Sequence, residues 1–180
     1  PIFTNAISAI VSLQAFNIEV SKIKSTSFIF SSFPKITVFG EVLVDRFPDG
    51  TEIFGGAPFN VAWHLEAFGL NPLFLSRTGQ DTAGEQIIRS MQEWGLDTSG
   101  LQRDELYPTG AVDIRFEEGQ PYYTILSEQA YDYMEALPSE IHRTDWLYHG
   151  SLALRNPKTR SVFLSCLEPY QGQVFVDINL

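Results

Sequence analysis

The sequence predicts an α/β fold: a mostly parallel sheet flanked by helices, with a small β flap beside it. Three observations carry this. Runs such as Ile36–Val44 and Trp146–His149 are nearly all apolar, as strands buried on both faces of a parallel sheet are. They alternate with stretches of helical period, and strand–helix alternation implies parallel strands joined by right-handed crossovers. Around residue 110 the apolar period switches to two, which marks a half-exposed hairpin.

The elements follow in order. Residues 1–34 read as an extension outside the domain. They are rich in Ser, Ile and Phe, begin at Pro1, and contain a helical pattern around Ile7–Phe16. Transit peptides are also Ser-rich and acid-poor, but they are Arg-rich, and this stretch has no Arg. From Lys35 the pattern becomes regular. Ile36 to Val44 reads as one buried strand. Residues 45–54 are polar, with Pro48 and Gly50, and read as a turn or short excursion. Pro58 to Phe68 forms a helix with Val61, Ala62, Leu65 and Phe68 on one face, stopped by Gly69. Pro72 to Arg77 is a short strand. Thr82-Ala83-Gly84-Glu85 has capping-box spacing, and Ile87, Ile88, Met91 and Trp94 continue one helical face up to Gly95.

Beyond residue 110, Val112, Ile114 and Phe116 alternate with Asp113, Arg115 and Glu117. Glu118-Gly119-Gln120-Pro121 turns the chain, and Tyr122 to Leu126 returns. This hairpin belongs beside the main sheet rather than inside it. Asn156-Pro157 opens a helix with Val162, Phe163, Cys166 and Leu167 inward, and Val174 to Asp177 is the last strand.

Composition narrows the function. A chain of 180 residues, 44% hydrophobic and 19% charged, supports one domain with a real core. The net charge is −10 and it is uneven: residues 36–180 carry −12, residues 1–35 carry +2. Such acidity argues against a nucleic-acid surface, which needs clustered Lys and Arg. No apolar run reaches the length of a membrane span. Cys166 is the only cysteine, so it has no internal disulfide partner. A reducing, cytoplasmic setting is the simpler expectation, subject to residues 1–34 not being a targeting segment.

Ligands in open α/β sheets bind beyond the carboxyl ends of the strands. Asp45, the Gly55–Asn60 loop, the Gly79–Gly84 loop and Asp177-Ile178-Asn179 all fall at such positions. Asp45 is either a turn-forming Asp or a carboxylate that accepts two hydrogen bonds from adjacent polyol hydroxyls. Gly55 and Gly56 either make a tight loop or let a ligand approach the backbone closely. Asn60 is either a surface polar residue or an amide that donates to and accepts from sugar hydroxyls. Gly79 to Gly84 fits a capped helix start better than an anion site. There is no Walker loop and no GxGxxG, and His64, His142 and His149 form no metal constellation.

Gly55-Gly56-Ala57-Pro58-Phe59-Asn60-Val61-Ala62, then six residues to Gly69 and nine to Gly79, resembles the N-terminal signature of the ribokinase-like (PfkB-type) carbohydrate kinases. Gly40-Glu41-Val42-Leu43-Val44-Asp45 is similar to the opening strand of the fructokinase-type branch. Gly79, Asp81 and Gly84 resemble the family's G-x-D-x-x-G. Pro108-Thr109-Gly110-Ala111 resembles the start of its lid strand. His149-Gly150-Ser151-Leu152 and Asp177-Ile178-Asn179-Leu180 match later landmarks. The likeness covers about residues 35 to 180.

The resemblance implies a Rossmann-like domain with a small β lid, built from segments of about 45–54 and 111–126. The activity it implies is transfer of phosphate from ATP, with Mg2+, to a hydroxyl of a small sugar, fructose before ribose. It places Asp45, Gly55, Gly56 and Asn60 on the sugar, and Asp177 and Asn179 nearer the phosphoryl-transfer region. It allows a homodimer through the lid. The family's catalytic aspartate lies in a Gly-Ala-Gly-Asp run, which this sequence does not contain. The chain is therefore expected to be the N-terminal part of a kinase, with no catalytic residue and no activity of its own. Two other readings are a non-catalytic sugar- or nucleoside-binding module and an assembly protein that retains only the fold.

Overall fold

In the computed structural model, β1 (Ile36–Phe39) is buried along its whole length at the centre of the domain. The structure describes residues 33–178. The helix expected around Ile7–Phe16, Asn179 and Leu180 lie outside the described residues. β1 pairs in parallel with β4 (Leu73–Gly79) on one side and β8 (Trp146–Gly150) on the other. β5 (Leu101–Asp104) extends the sheet beyond β4, and β9 (Gln173–Asp177) extends it beyond β8, both in parallel. The five strands run in the order β5-β4-β1-β8-β9.

Alternation along the strands explains the apolar runs. Val38, Phe74 and Tyr148 face one core, which α1 (Ala57–Ala67) and α2 (Thr82–Trp94) cover with Phe59, Ala62, Leu65, Ile87 and Met91. Phe39, Leu75 and Leu147 face the other, under Phe163 of α3 (Pro157–Leu167). Each such side chain, fully buried, contributes about 1.5–3 kcal/mol of transfer free energy. The central strands β1 and β8 are covered on both faces, so neither alternates in sequence, whereas β9 at the sheet edge is exposed from Gln173 to Val176.

Local signals account for the helix ends. Gly95 stops α2 in the left-handed conformation at φ 94°, where a Cβ would be strained. At the start of α2 the cap is Asp81, whose carboxylate accepts from the Gly84 amide at 2.8 Å, and not the Thr82 the capping-box spacing suggested. Asn156 caps α3 in the same way, accepting from the Lys158 amide at 2.9 Å.

The run Ile36–Val44 is not one strand. It breaks at Gly40 and resumes as β2 (Leu43–Arg46) in a second sheet. A Cβ on Gly40 would lie 2.3 Å from the Pro58 ring, so only glycine lets the start of α1 press against this break. Residues 45–54, expected as a turn or excursion, supply half of β2 and most of β3 (Glu52–Gly55), which pair antiparallel. β6 (Gly110–Glu117) joins β2 in parallel, and β7 (Gln120–Ile125) closes the sheet as a hairpin with β6. Its order is β3-β2-β6-β7. Leu43, Val112 and Ile114 form a small core of its own. β7 is exposed throughout.

Candidate functional site

Because β1, β4, β8 and β9 run in parallel, Gly40, Gly79, Gly150 and Asp177 lie at one edge of the main sheet. The N-terminus of α1 sits over the middle of that edge. Pro58 packs against Gly40, and a Cβ on Gly150 would lie 3.0 Å from the same ring. The second sheet delivers Gly55 and Gly56 to this point, since β3 ends directly in α1.

Asp45 lies on β2, opposite Ile53 of β3. Its Oδ2 would be 3.1 Å from a Cβ on Gly55, so the bare glycine makes room for the carboxylate. Burial pushes the Asp45 carboxyl up from its ordinary value. Gly56 is the N-cap of α1 at φ 106° and supplies no side-chain cap to the amides there. Asn60 completes the first turn, half-buried, with its backbone N–H donating to the Gly56 carbonyl at 2.9 Å. Asp45, Gly55, Gly56 and the start of α1 are thus contiguous. Asp177 stands across the edge at the end of β9, where it accepts a 2.6 Å hydrogen bond from the Tyr148 hydroxyl. Asn179 is outside the described residues.

One residue at this edge was not singled out from the sequence. Glu41 follows Gly40 in the break between the sheets and is only 2% exposed. Its Oε2 has no hydrogen-bond partner among the described residues. Burial raises its carboxyl to about pKa 7, against the weaker pull of the backbone amides of Glu41, Ala57 and Ala153. The available signal was an acidic residue inside an otherwise apolar run, a placement that requires a compensating role.

The Gly79–Gly84 loop is closed to an anion. The Gly79 amide donates to Thr109 Oγ1 at 3.0 Å and the Gly84 amide to Asp81 Oδ1. Asp81 also accepts from the Thr109 amide at 2.8 Å and hydroxyl at 2.6 Å. Burial opposes the charge on Asp81, but these bonds and nearby Arg103 outweigh it and hold the carboxyl low. The loop is therefore a clamp on the start of β6. Arg155 pairs with buried Asp132 at 2.7 Å and donates to the Leu126 carbonyl, just past β7. Tyr131 is buried beneath Gly110, while Tyr122 and Tyr123 lie exposed on β7. Among the described residues no group of three or more His, Cys, Asp or Glu could hold a metal. The Gly79 and Gly84 amides are thus both taken up by protein oxygens.

The model of the pfkB family carbohydrate kinases matches residues 19–156. The chain belongs to that family. The match begins at residue 19, ahead of the motifs that start at residue 35. Among its relatives, fructokinase of Escherichia coli is 29% identical over 157 residues, covering 81% of this chain and 51% of that protein. Fructokinase of Salmonella typhimurium is 27% identical with the same coverage. Among solved structures, apo fructokinase of Vibrio cholerae superposes with a TM-score of 0.70 at 26% identity, covering 83% of this chain and 55% of that one. A sugar kinase of Pyrococcus horikoshii, crystallised with ATP, has a TM-score of 0.74 at 24% identity, covering 81% and 53%, a likeness of fold. This member of the pfkB family spans about half the length of the relatives it matches. Among its described residues no helix is long and apolar enough to cross a membrane.

Proposed function

We propose that residues 35–180 are the sugar-binding part of an ATP-dependent kinase that phosphorylates a hydroxyl of fructose or a close analogue. The carrying observation is the Asp45 carboxylate laid against Gly55 at the mouth of α1. A carboxylate accepts two hydrogen bonds from neighbouring hydroxyls, and glycines without side chains let a sugar reach the backbone. Asn60, one turn inside α1, supplies an amide that donates and accepts. Together they would hold a polyol by its hydroxyls.

The second sheet would act as the lid. Kinases must keep water from the phosphoryl group, and closure over the sugar does so. Ile53, Phe116, Tyr122 and Ile125 of this sheet are exposed, which supports a homodimer formed through it. Asp177, held by Tyr148, would lie towards the phosphoryl-transfer side, with Asn179 following. ATP and Mg2+ would be bound by the full-length protein, with the base for the attacking hydroxyl in a segment outside these 180 residues. The 180 residues alone would then be inactive.

The test is ADP release by the full-length gene product with ATP and Mg2+ on fructose, ribose and adenosine. The expected result is the highest kcat/KM on fructose, and background turnover by the isolated 1–180 chain. Sugar binding by calorimetry with no turnover in the full-length protein would make it a binding module instead. Turnover by the isolated chain would contradict the assignment of the base elsewhere.

A further inference from the structure

Glu41 occupies a place that the sugar-binding reading leaves unexplained. The chain crosses from the main sheet to the second sheet at this residue, and its side chain turns inward there. A Cβ on Gly56 would lie 2.7 Å from the Glu41 carbonyl oxygen and 3.3 Å from its Cγ. On the other side, a Cβ on Gly150 would lie 3.6 Å from Glu41 Oε2. The amides of Ala57, first in α1, and Ala153, in the short 3-10 turn Leu152–Arg155, both act on its carboxylate. One side chain therefore touches the loop that carries Gly55 to Asn60 and the turn that follows β8.

We propose that Glu41 is a positioning residue of this site, a wedge that sets the spacing between the Gly55–Asn60 loop and the turn after β8. The proposal rests on the sugar-binding reading for its effect on sugar, but not for its effect on the loop. Both glycines are part of the device, since any side chain at either position would press on the wedge or on its neighbour.

The wedge works best uncharged. Asp177 of β9 adds like charge to it, and Tyr148 of β8 and Tyr131 of the 3-10 turn Ala130–Tyr133 are buried phenols whose own ionisation is pushed up. The first turn of α1 carries no acidic residue, and the Arg155 guanidinium is engaged by Asp132. Ionisation of Glu41 would thus place an unpaired charge in the wedge and loosen both walls.

The experiment compares wild type, Glu41→Gln and Glu41→Ala of the full-length protein. It reads fructose KM and kcat from pH 6 to 8.5, together with amide hydrogen exchange. In Glu41→Ala, fructose KM is expected to rise about tenfold with kcat within about threefold. Exchange should quicken at residues 55–60 and 151–155 but not in β4 or α2. Glu41→Gln, neutral and of the same shape, should keep the wild-type KM at pH 6. It should also lose the rise in KM that wild type shows above pH 7. Unchanged exchange at 55–60 in Glu41→Ala overturns the proposal. So does a Glu41→Gln variant that behaves like Glu41→Ala, and this second arm survives if Glu41→Ala fails to fold. A wild type that binds no sugar while Glu41→Ala still loosens 55–60 would sink the sugar reading and leave the wedge standing.

Discussion

Asp45 and Gly55 meet near the open ends of β2 and β3, with Oδ2 of the carboxylate 3.1 Å from where a Cβ of the glycine would sit. The fit leaves no spare space, so both residues are exposed to a simple test. Hydrogen bonds to a charged group contribute about 1.5–3 kcal/mol. If the proposed sugar site is right, Asp45→Ala in the full-length protein should therefore raise fructose KM roughly tenfold to a hundredfold. Gly55→Ala, which needs the carboxylate to shift by a few tenths of an ångström, should raise it less. Steady-state kinetics alongside thermal melting would separate this from unfolding, and an unaltered KM in both variants would remove Asp45 from the site.

Gly56 is constrained by backbone rather than by chemistry. Its φ of 106° is rarely adopted by residues with a side chain, and a methyl would meet the Glu41 carbonyl at 2.7 Å. Gly56→Ala should destabilise the protein by about 2–3 kcal/mol. A urea midpoint that does not move would show that the loop relaxes freely.

Arg155 and Asp132 tie the foot of the second sheet to the domain. Asp132 is 2% exposed, and Arg155 reaches from it to the Leu126 carbonyl. Arg155→Met leaves that buried carboxylate unpaired, which costs about 3 kcal/mol or more. The double variant Arg155→Met with Asp132→Asn should recover part of the loss, because the stranded charge is gone. Equilibrium denaturation of the three proteins reads this directly, and a double variant no better than Arg155→Met would argue against charge as the cause.

Glu41 gives stability a pH dependence of definite sign. The folded state holds its proton up to about pH 7, whereas the unfolded chain releases it near 4.5. Between those values the folded state binds more protons, so stability falls as pH rises from about 4.5 to 7 and levels off above. At about 1.4 kcal/mol per pH unit the decline is on the order of 3 kcal/mol. Glu41→Gln should flatten this part of the profile. Denaturation series at pH 5, 6, 7 and 8 would reveal a parallel decline in both proteins if another group were responsible.

Much of the architecture was legible because its signals are local. Helices α1 to α3 were marked by apolar spacing and by Pro58, Gly69, Gly95 and Asn156 at their ends. The 112–126 hairpin was marked by its period of two, and β8 and β9 by their apolar runs. Three features were not legible. β5, Leu101-Gln102-Arg103-Asp104, is a half-polar strand paired with β4 at the edge of the sheet among the described residues. The polar stretch after Asp45 carries no strand pattern, yet most of it folds into a hairpin of the second sheet. Gly79 to Gly84 read as a capped helix start, which Asp81 bears out, but the bonds that Asp81 accepts from Thr109 ahead of β6 left no mark in the sequence.

Fold class, family and the glycine loop ahead of α1 can be read from the letters alone. Each of these depends on residues a few positions apart, where propensity and spacing act directly. Folding was needed to divide Ile36–Val44 between two sheets, to seal Glu41 beneath the loop, and to put Arg155 at the second sheet's foot. Those outcomes rest on partners far along the chain: β4 and β8 for β1, β6 for β2, Gly150 for Glu41 and Asp132 for Arg155. Burial and charge are properties of what folds back against a residue, and no window of neighbouring letters contains that.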